Sequence, residues 1–321
     1  MTTATSALDE LHAAAEVVHD VLPRTPQYAW PLLGARTGAE VWVKHENHLP
    51  IGAFKVRGGL VYFAELRRSR PHVRDVIAAT RGNHGQSIAF AARRYAMTAT
   101  IVVPHGNSAE KNAAMRALGA ELIEAGEDFN AALETARRLA EERGAHLVPS
   151  YHPALVRGVA SAGLELFGAV HDIDAVYVPI GQGSGAAALI AARDALGLRT
   201  HIIGVVAAAA DAYARSFEAG RAIATETAAT IADGVACRVP DPAAFAVLKH
   251  GLARIVRVSD EAICDAMRVL FSDTHNVAEG AGAAALAALL QERAVMRGRR
   301  VAVMLTGGNI DRAMFADVMA R

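Results

Sequence analysis

One lysine stands in a sequence context that suits covalent chemistry. Lys55 lies in the glycine-rich run 52–59, directly after Phe54 and two residues before Arg57. A lysine amine attacks an aldehyde only when it is unprotonated, and apolar neighbours together with a nearby cation lower the pKa of such an amine. These residue types predict a lysine that forms a Schiff base with an aldehyde. An ordinary surface lysine is the alternative, since most lysines are exposed.

A glycine turn farther along the chain predicts a site for an anion. The turn at 181–185 lies between an apolar run, 175–180, and an Ala-rich run, 186–196, which indicate a buried strand and a helix. Backbone N–H groups and the positive end of a helix dipole would meet there. The spacing also suggests a dinucleotide fingerprint, but the acidic residue expected about twenty positions later is absent. A phosphate without a nucleotide fits better. The turn reads Gly181-Gln182-Gly183-Ser184-Gly185.

Two further turns could complete a site for a ring and an amino acid. Residues 80–85 follow the apolar run 75–79 and precede a helical pattern, so amides at that helix start could hold a carboxylate. Asn83 there could offer its amide to a phenolic oxygen. Thr306, after the run 299–305, could hydrogen-bond a heterocyclic nitrogen. A simple Asn-containing turn is the alternative for residues 80–85.

The composition favours a small-molecule enzyme. The chain has 321 residues, of which 52% are hydrophobic, so it can bury a large core. Lys plus Arg and Asp plus Glu number 33 each, which leaves no positive field for nucleic acid or an anionic membrane. No apolar run is long enough for a bilayer, and residues 1–20 show no secretory pattern. Cys237 and Cys264 fit neither a disulfide framework nor a zinc site. We therefore expect a cytoplasmic protein.

The elements that must position these turns alternate along the chain. Short β-branched runs predict strands at 75–79, 98–103, 175–180, 201–206 and 299–305, with helical patterns between them. Such alternation predicts an α/β fold with parallel sheets, whose binding crevices lie beyond the carboxyl ends of the strands. A separate set of strands on either side of the middle of the chain suggests two domains.

Four motifs occur in a recognisable order. They are Lys44-His45-Glu46-Asn47 before Phe54-Lys55-Val56-Arg57-Gly58, the turn 82–86, the loop 181–185 and Gly307-Gly308-Asn309. Over nearly the whole chain this order resembles the fold type II pyridoxal-phosphate enzymes of the threonine dehydratase and serine racemase group. The resemblance implies two parallel-sheet α/β domains like those of the tryptophan synthase β chain, with pyridoxal 5'-phosphate in the cleft between them. The large domain would take residues 1–50 and 150–321, and the small domain residues 51–149.

The resemblance also implies a role for each turn. Lys55 would carry the cofactor and later act as the base, Asn83 would contact the ring oxygen, and Thr306 would face the ring nitrogen. Glu279 would approach the ring or line the pocket, although a packing turn is the alternative there. The implied cofactor residues are Phe54, Lys55, Asn83, Gly181, Gln182, Gly183, Ser184, Gly185, Glu279, Thr306 and Gly307. The implied substrate residues are Thr80, Arg81, Gly82, Asn83 and His84, with His84 as a helix-start contact rather than a base.

The activity implied by the resemblance is an elimination. A hydroxyl at the ring nitrogen, in place of a carboxylate, leaves the carbanion less delocalised and favours loss of a β substituent. We expect a lyase that dehydrates a β-hydroxy amino acid, such as threonine, serine, 3-hydroxyaspartate or phenylserine, to a 2-oxo acid and ammonia. An amino-acid racemase, a β-replacement synthase and a non-catalytic cofactor or amino-acid sensor are the alternatives. Besides the amino acid, the resemblance suggests only a second copy of the chain, in a homodimer.

Three departures from the pattern of the group bear on this reading. Ala53 stands where a serine is usual, and Arg81 stands where racemases carry a serine that protonates the carbanion. Because arginine stays protonated, we rank dehydratase above racemase. Arg81 could instead bind a second carboxylate or stack on an aromatic substituent; the alternative is an arginine that points to solvent or pairs with a neighbouring acid. The acidic ligands of the relatives' cation site align with Val206 and Ala212, so we expect no bound Mg or Ca.

Overall fold

The structure is a computed structural model that describes residues 6–321. Residues 1–5, which belong to the predicted large domain and to the stretch considered as a secretory signal, lie outside the described residues. Within 6–321, none of the helices has the length and apolar character to cross a membrane.

Residues 6–321 form ten strands and fourteen α-helices. The strands are β1 Gln27–Ala29, β2 Glu40–His45, β3 Asp75–Ala79, β4 Thr98–Val103, β5 Glu121–Glu124, β6 His146–Leu147, β7 Ala175–Pro179, β8 His201–Ala207, β9 Arg254–Val258 and β10 Arg300–Leu305. The helices are α1 Ala7–His19, α2 Pro31–Thr37, α3 Lys55–Ser69, α4 Asn83–Arg94, α5 Ala109–Ala117, α6 Phe129–Arg143, α7 Pro153–Ala169, α8 Ser184–Ala195, α9 Ala212–Ala219, α10 Pro242–Gly251, α11 Asp260–Thr274, α12 Gly280–Gln291, α13 Arg293–Met296 and α14 Arg312–Ala320.

The strands form two sheets, which confirms the predicted α/β class. The larger sheet has the order β1-β2-β10-β7-β8-β9 and is parallel except for β1, which pairs antiparallel with β2. The smaller sheet, β5-β4-β3-β6, is parallel throughout. All five predicted strands are confirmed to within about one residue at each end. The smaller sheet lies inside the predicted segment 51–149, while the domain limits themselves stay a prediction.

Small side chains allow the helices to pack closely on the larger sheet. Almost every residue of α12 is buried, and most of its positions are alanine or glycine. An added Cβ at Gly282 would collide with the carbonyl oxygen of Gly307, just after β10. This close approach brings the start of α12, with Glu279 directly before it, to the carboxyl end of β10.

A buried ion network joins α3 to the elements around it. The guanidinium of Arg57 is fully buried and donates to Glu46 Oε2 at 2.7 Å and to Glu165 Oε1 at 2.6 Å. Lys44, on β2, donates to Glu165 Oε2 at 2.6 Å. Because each buried charge has an opposite partner, the network fixes the first turn of α3, which begins at Lys55.

Candidate active site

The glycine turns and Lys55 meet at one cavity between the two sheets. It lies where β3, β7 and β10 end, as expected for ligand crevices in parallel α/β folds. Gly307 is the one predicted site residue outside the lining, and an added Cβ there would lie 2.5 Å from Glu279 Oε1. The predicted residues that line the cavity are Phe54, Lys55, Thr80, Arg81, Gly82, Asn83, His84, Gly181, Gln182, Gly183, Ser184, Gly185, Glu279 and Thr306.

The amine of Lys55 lies next to the glycine loop. Its Nζ donates to Ser184 Oγ at 3.0 Å and lies 4.8 Å from the centre of the Phe54 ring. Burial lowers the pKa of Lys55 to about 8. The prediction that Arg57 helps to lower this pKa is wrong, because burial is the cause and the guanidinium of Arg57 is held by the carboxylates of Glu46 and Glu165.

The loop before α8 is shaped to receive an anion. The helix begins at Ser184, slightly before the predicted 186, and no side chain caps its first turn. Gly183 has a φ of 93°, in the left-handed region that favours glycine. A Cβ at Gly181 would collide with the carbonyl oxygen of Gly234. Free N–H groups, the helix dipole and the Ser184 hydroxyl therefore meet beside the Lys55 amine.

The turn before α4 is partly occupied by its own hydrogen bonds. Thr80 Oγ1 accepts from the backbone N–H of Gly82 at 3.0 Å and from that of Gly85 at 3.3 Å. The Gly82 amide, which we predicted to hold the substrate carboxylate, thus already has an acceptor. The N-cap residue of α4, Gly82, has no side chain, and Thr80 takes the N–H of Gly85, so the N–H groups of Asn83 and His84 are the ones available at the helix start.

The imidazole of His84 is neutral and faces the same cavity. Burial is the main reason that its pKa is lowered to about 3, and the nearby charge of Lys55 lowers it further. The ring is hydrogen-bonded to the backbone of Pro149, and within the described residues Nε2 has no partner. Because Pro149 offers only a carbonyl, which accepts, the proton of the neutral ring lies on the other nitrogen, and Nε2 is an unused acceptor at the start of α4.

Four charged side chains line one side of the cavity and form what we call the wall of charges. In order of pairing they are Arg81, Asp233, Lys111 and Glu279. Arg81 Nη2 lies 3.1 Å from Asp233 Oδ1, and Lys111 Nζ lies 3.5 Å from Asp233 Oδ2 and 3.1 Å from Glu279 Oε2. Burial opposes the charge of Lys111, but Glu279 and Asp233 outweigh it and raise the pKa of the amine. Of the roles considered for Arg81, pairing with a neighbouring acid is the one found. Lys111 was not predicted.

Asn83 and Glu279 are directly hydrogen-bonded across the cavity. Asn83 Nδ2 donates to Glu279 Oε1 at 2.5 Å, and Asn83 Oδ1 accepts from Asn309 at 2.8 Å. Thr306 is buried, and its backbone oxygen accepts from the Phe54 N–H at 3.0 Å, which links the end of β10 to the start of α3. The predicted residues from four distant segments are thus brought together.

Other lining residues carried no sequence signal that we recognised. Cys237 lies in the wall, and burial raises the pKa of its thiol to about 12, so the thiol stays protonated and inert. Asp233, the acid that pairs with Arg81 and Lys111, also lies in the lining. The lining residues that were not predicted as site residues are Ala79, Lys111, Phe129, Ser150, Pro179, Asp233, Gly234, Ala236, Cys237 and Ala281.

The place of the relatives' cation site does not suit a hard cation. Val206 and Ala212 are buried and carry no side-chain oxygen. The carboxylate of Asp211 accepts from Arg215 at 2.7 Å and from Arg257 at 3.0 Å. Across residues 6–321, no group of three or more His, Cys, Asp or Glu side chains is placed to hold a metal ion.

Comparison with known proteins agrees with this geometry. Residues 18–307 match the family model described as pyridoxal-phosphate dependent enzyme. An L-threonine ammonia-lyase of Thermotoga maritima is 35% identical over 95% of this chain and 76% of its own length. An L-threo-3-hydroxyaspartate ammonia-lyase of a Pseudomonas species is 35% identical over 98% of both chains. The solved structure of maize serine racemase superposes with a TM-score of 0.91 and 26% identity, covering 99% of this chain and 98% of the racemase.

Proposed function

Because the chain belongs to the pyridoxal-phosphate-dependent enzymes, we propose that it is an ammonia-lyase that dehydrates a β-hydroxy amino acid to a 2-oxo acid and ammonia. The observation that carries the proposal is the partly buried Lys55 amine, whose pKa is about 8, beside an uncapped helix start in a cavity. The two ammonia-lyases that match nearly the whole chain support the same reaction.

The cavity residues fit pyridoxal 5'-phosphate in four respects. The first turn of α8 offers free N–H groups and a hydroxyl for the phosphate, and Asn83 has an amide hydrogen left over for a ring oxygen. Lys55 is the amine in reach of that phosphate site, and Thr306 would meet the ring nitrogen with a neutral hydroxyl. When bound, the cofactor supplies an aldehyde that condenses with amines and an electron sink for the pair left at Cα.

The residues of the chain then handle the substrate and its protons. The N–H groups at the start of α4 would hold the α-carboxylate, which places Cα near Lys55. With a pKa of about 8, the Lys55 amine is partly unprotonated at neutral pH, so it can take the Cα proton. The proton taken from Cα and the β-hydroxyl together leave as one water, and hydrolysis of the released enamine then consumes one water and yields the 2-oxo acid and ammonia.

A serine racemase is the second candidate, favoured by the structural likeness to the maize enzyme. Racemisation requires a group that protonates Cα from the face opposite the lysine. Arg81 stands where racemases have a serine; its guanidinium stays protonated and pairs with Asp233. We therefore rank the lyase first. D-serine formation from L-serine at a rate that rivals pyruvate release would reverse the ranking.

The wall of charges bears on the choice of substrate. A second carboxylate, as in 3-hydroxyaspartate, would compete with Asp233 for Arg81 and Lys111, whereas threonine would leave these pairs intact. The matched variants are Arg81→Ala and Asp233→Asn. If the substrate is a dicarboxylate, Arg81→Ala lowers kcat/KM for 3-hydroxyaspartate about tenfold or more relative to threonine. Equal losses on both substrates would rule out a selective role for Arg81.

One panel tests the proposed reaction. The purified protein with cofactor is given serine, threonine, 3-hydroxyaspartate and phenylserine, and both ammonia and 2-oxo acid are measured. We expect equal amounts of the two products from at least one substrate, and none from Lys55→Ala. Cofactor binding without release of either product would favour a sensor.

A homodimer and a cytoplasmic location belong to the same proposal. Both cysteines are free, as is usual for proteins of a reducing compartment. Sedimentation of the holoenzyme tests the dimer, and a monomer at micromolar concentration would contradict it.

A further inference from the structure

A tyrosine outside the cavity holds one peptide of the glycine loop 181–185. Tyr213, the second residue of α9, is almost fully buried, and its hydroxyl donates to the carbonyl oxygen of Gln182 at 3.3 Å. Glycine at 183 permits this approach, since an added Cβ there would lie 3.4 Å from Tyr213 Oη and 2.9 Å from the Cβ of Ala244. Gln182 and Gly183 line the cavity, whereas Tyr213 does not. The hydroxyl therefore contacts the loop on the side away from the cavity.

A second partner fixes the direction of this hydrogen bond. The backbone N–H of Asp241 donates to Tyr213 Oη at 3.1 Å. Because an N–H group only donates and a phenol has one proton, the proton of Tyr213 is directed to the carbonyl of Gln182. Burial raises the pKa of Tyr213, so the hydroxyl keeps that proton. Within residues 6–321, no other donor reaches the carbonyl oxygen of Gln182.

The opposite edge of the same peptide is free. In a trans peptide, the C=O of one residue and the N–H of the next point in opposite directions. Since the carbonyl of Gln182 points to Tyr213, the N–H of Gly183 points away from Tyr213, on the side of the loop that lines the cavity. Among the described residues this N–H has no acceptor. The reverse orientation would turn the negative end of the peptide toward an anion in the cavity.

Ion pairs hold the helix that carries Tyr213. Asp211, directly before α9, accepts from Arg215 at 2.7 Å and from Arg257 of β9 at 3.0 Å. The guanidinium of Arg257 also donates to the two carboxylate oxygens of Glu218, near the end of α9, at 2.6 and 2.9 Å. Arg257 thus joins both ends of α9 to the larger sheet, which sets the place of Tyr213 relative to the loop.

We propose that Tyr213 is a positioning residue for the cofactor phosphate. It holds the carbonyl of Gln182 on the far side of the loop and so keeps the N–H of Gly183 directed to the cavity, where a phosphate oxygen can accept it. The proposal rests on the cofactor assignment in the proposed function. It does not require the lyase reaction, since it concerns binding alone.

The test compares two ligands that differ only in the phosphate group. Apoprotein is titrated with pyridoxal 5'-phosphate and with pyridoxal, and Kd is measured by quenching of the protein fluorescence. Tyr213→Phe removes the hydroxyl and keeps the ring. Because 3.3 Å is long for a hydroxyl donor, we expect Kd for pyridoxal 5'-phosphate to rise about fivefold and Kd for pyridoxal to change less than about twofold. Equal changes for both ligands, or no change for either, would overturn the proposal.

Tyr177→Phe is the matched control. It also removes a buried tyrosine hydroxyl, which donates to Glu292 at 2.6 Å, but Tyr177 lies within β7 and does not line the cavity. The ratio of the two Kd values in this variant should equal that of wild type. A change in the ratio as large as that in Tyr213→Phe would show a general packing effect and contradict the proposal.

A crystal structure of the wild-type holoenzyme tests the same peptide without a substitution, and it decides the matter if Tyr213→Phe does not fold. We expect Gly183 N within hydrogen-bonding distance of a phosphate oxygen, and Tyr213 Oη still in contact with the carbonyl of Gln182. A Gln182 carbonyl turned toward the phosphate would overturn the idea. A protein that shows the predicted Kd pattern but releases no ammonia supports the role of Tyr213 and contradicts only the proposed reaction.

Discussion

The partly buried amine of Lys55 should make the stability of the apoprotein depend on pH. Its pKa is lowered from 10.5 to about 8 by burial, so between these values the unfolded chain binds more protons than the folded one. The free energy of unfolding therefore rises with pH in this window. Below the folded pKa, the charged amine costs the native state roughly 3 kcal/mol, an upper figure because the cavity is open to water.

Lys55→Met removes this cost, and the size of the gain should follow pH. Relative to wild type, we expect the variant apoprotein to be more stable by roughly 3 kcal/mol near pH 7, about 2 near pH 9 and less than about 1 near pH 10. Urea unfolding at each pH measures the difference, and its change with pH is independent of how well the methionine packs. Lys249→Met, in an exposed part of α10, is the matched control and should show no such trend. A stability difference that stays constant from pH 7 to pH 10 would refute the argument.

Three other perturbations follow from the structure. Arg57→Met leaves the carboxylates of Glu46 and Glu165 short of a cation, so urea unfolding should show a loss of about 3–5 kcal/mol, and a loss under 1 would contradict the network. Gly181→Ala places a Cβ against the carbonyl oxygen of Gly234. The apoprotein should still fold, but Kd for pyridoxal 5'-phosphate should rise at least about tenfold. Unchanged affinity would count against the phosphate site. Turnover should survive treatment with EDTA, because the residues of the relatives' cation site carry no suitable oxygens there; loss that Mg or Ca restores would show a cation site elsewhere.

Sequence patterns located the parts of the site that depend on local backbone geometry. Glycine turns after apolar strands have few alternative structures, so the loop 181–185 and the turn before α4 were placed correctly at strand ends. The weak or short strands were missed. β6 has two residues, and β1 has three and is mostly exposed. Neither is long enough to show the alternation of apolar and polar residues that predicts a strand. β2 does alternate, with Val41 and Val43 buried, and that pattern was a signal that could have been read.

The contacts between side chains depended on how distant segments meet. Lys111 lies in a short polar helix with no motif, and only the fold, which packs α5 on α4 and β5, brings its side chain to Glu279. For Arg57, sequence spacing suggested an interaction that the fold does not make. Its position two residues after Lys55 suggested an electrostatic effect on the amine, but on a helix residues two apart do not face each other. The buried acids that hold Arg57 lie in other elements, and sequence spacing gave no indication of them.

The central claim is that Lys55 carries the cofactor, and one chemical measurement tests it directly. The chain has only four lysines, Lys44, Lys55, Lys111 and Lys249, so each site can be followed separately. Holoenzyme is reduced with sodium borohydride, digested and analysed by mass spectrometry for the pyridoxyl phosphate adduct. We predict the adduct on Lys55 alone, and no adduct in Lys55→Ala. An adduct on Lys111 or another lysine, or none in the wild-type protein, would contradict the account.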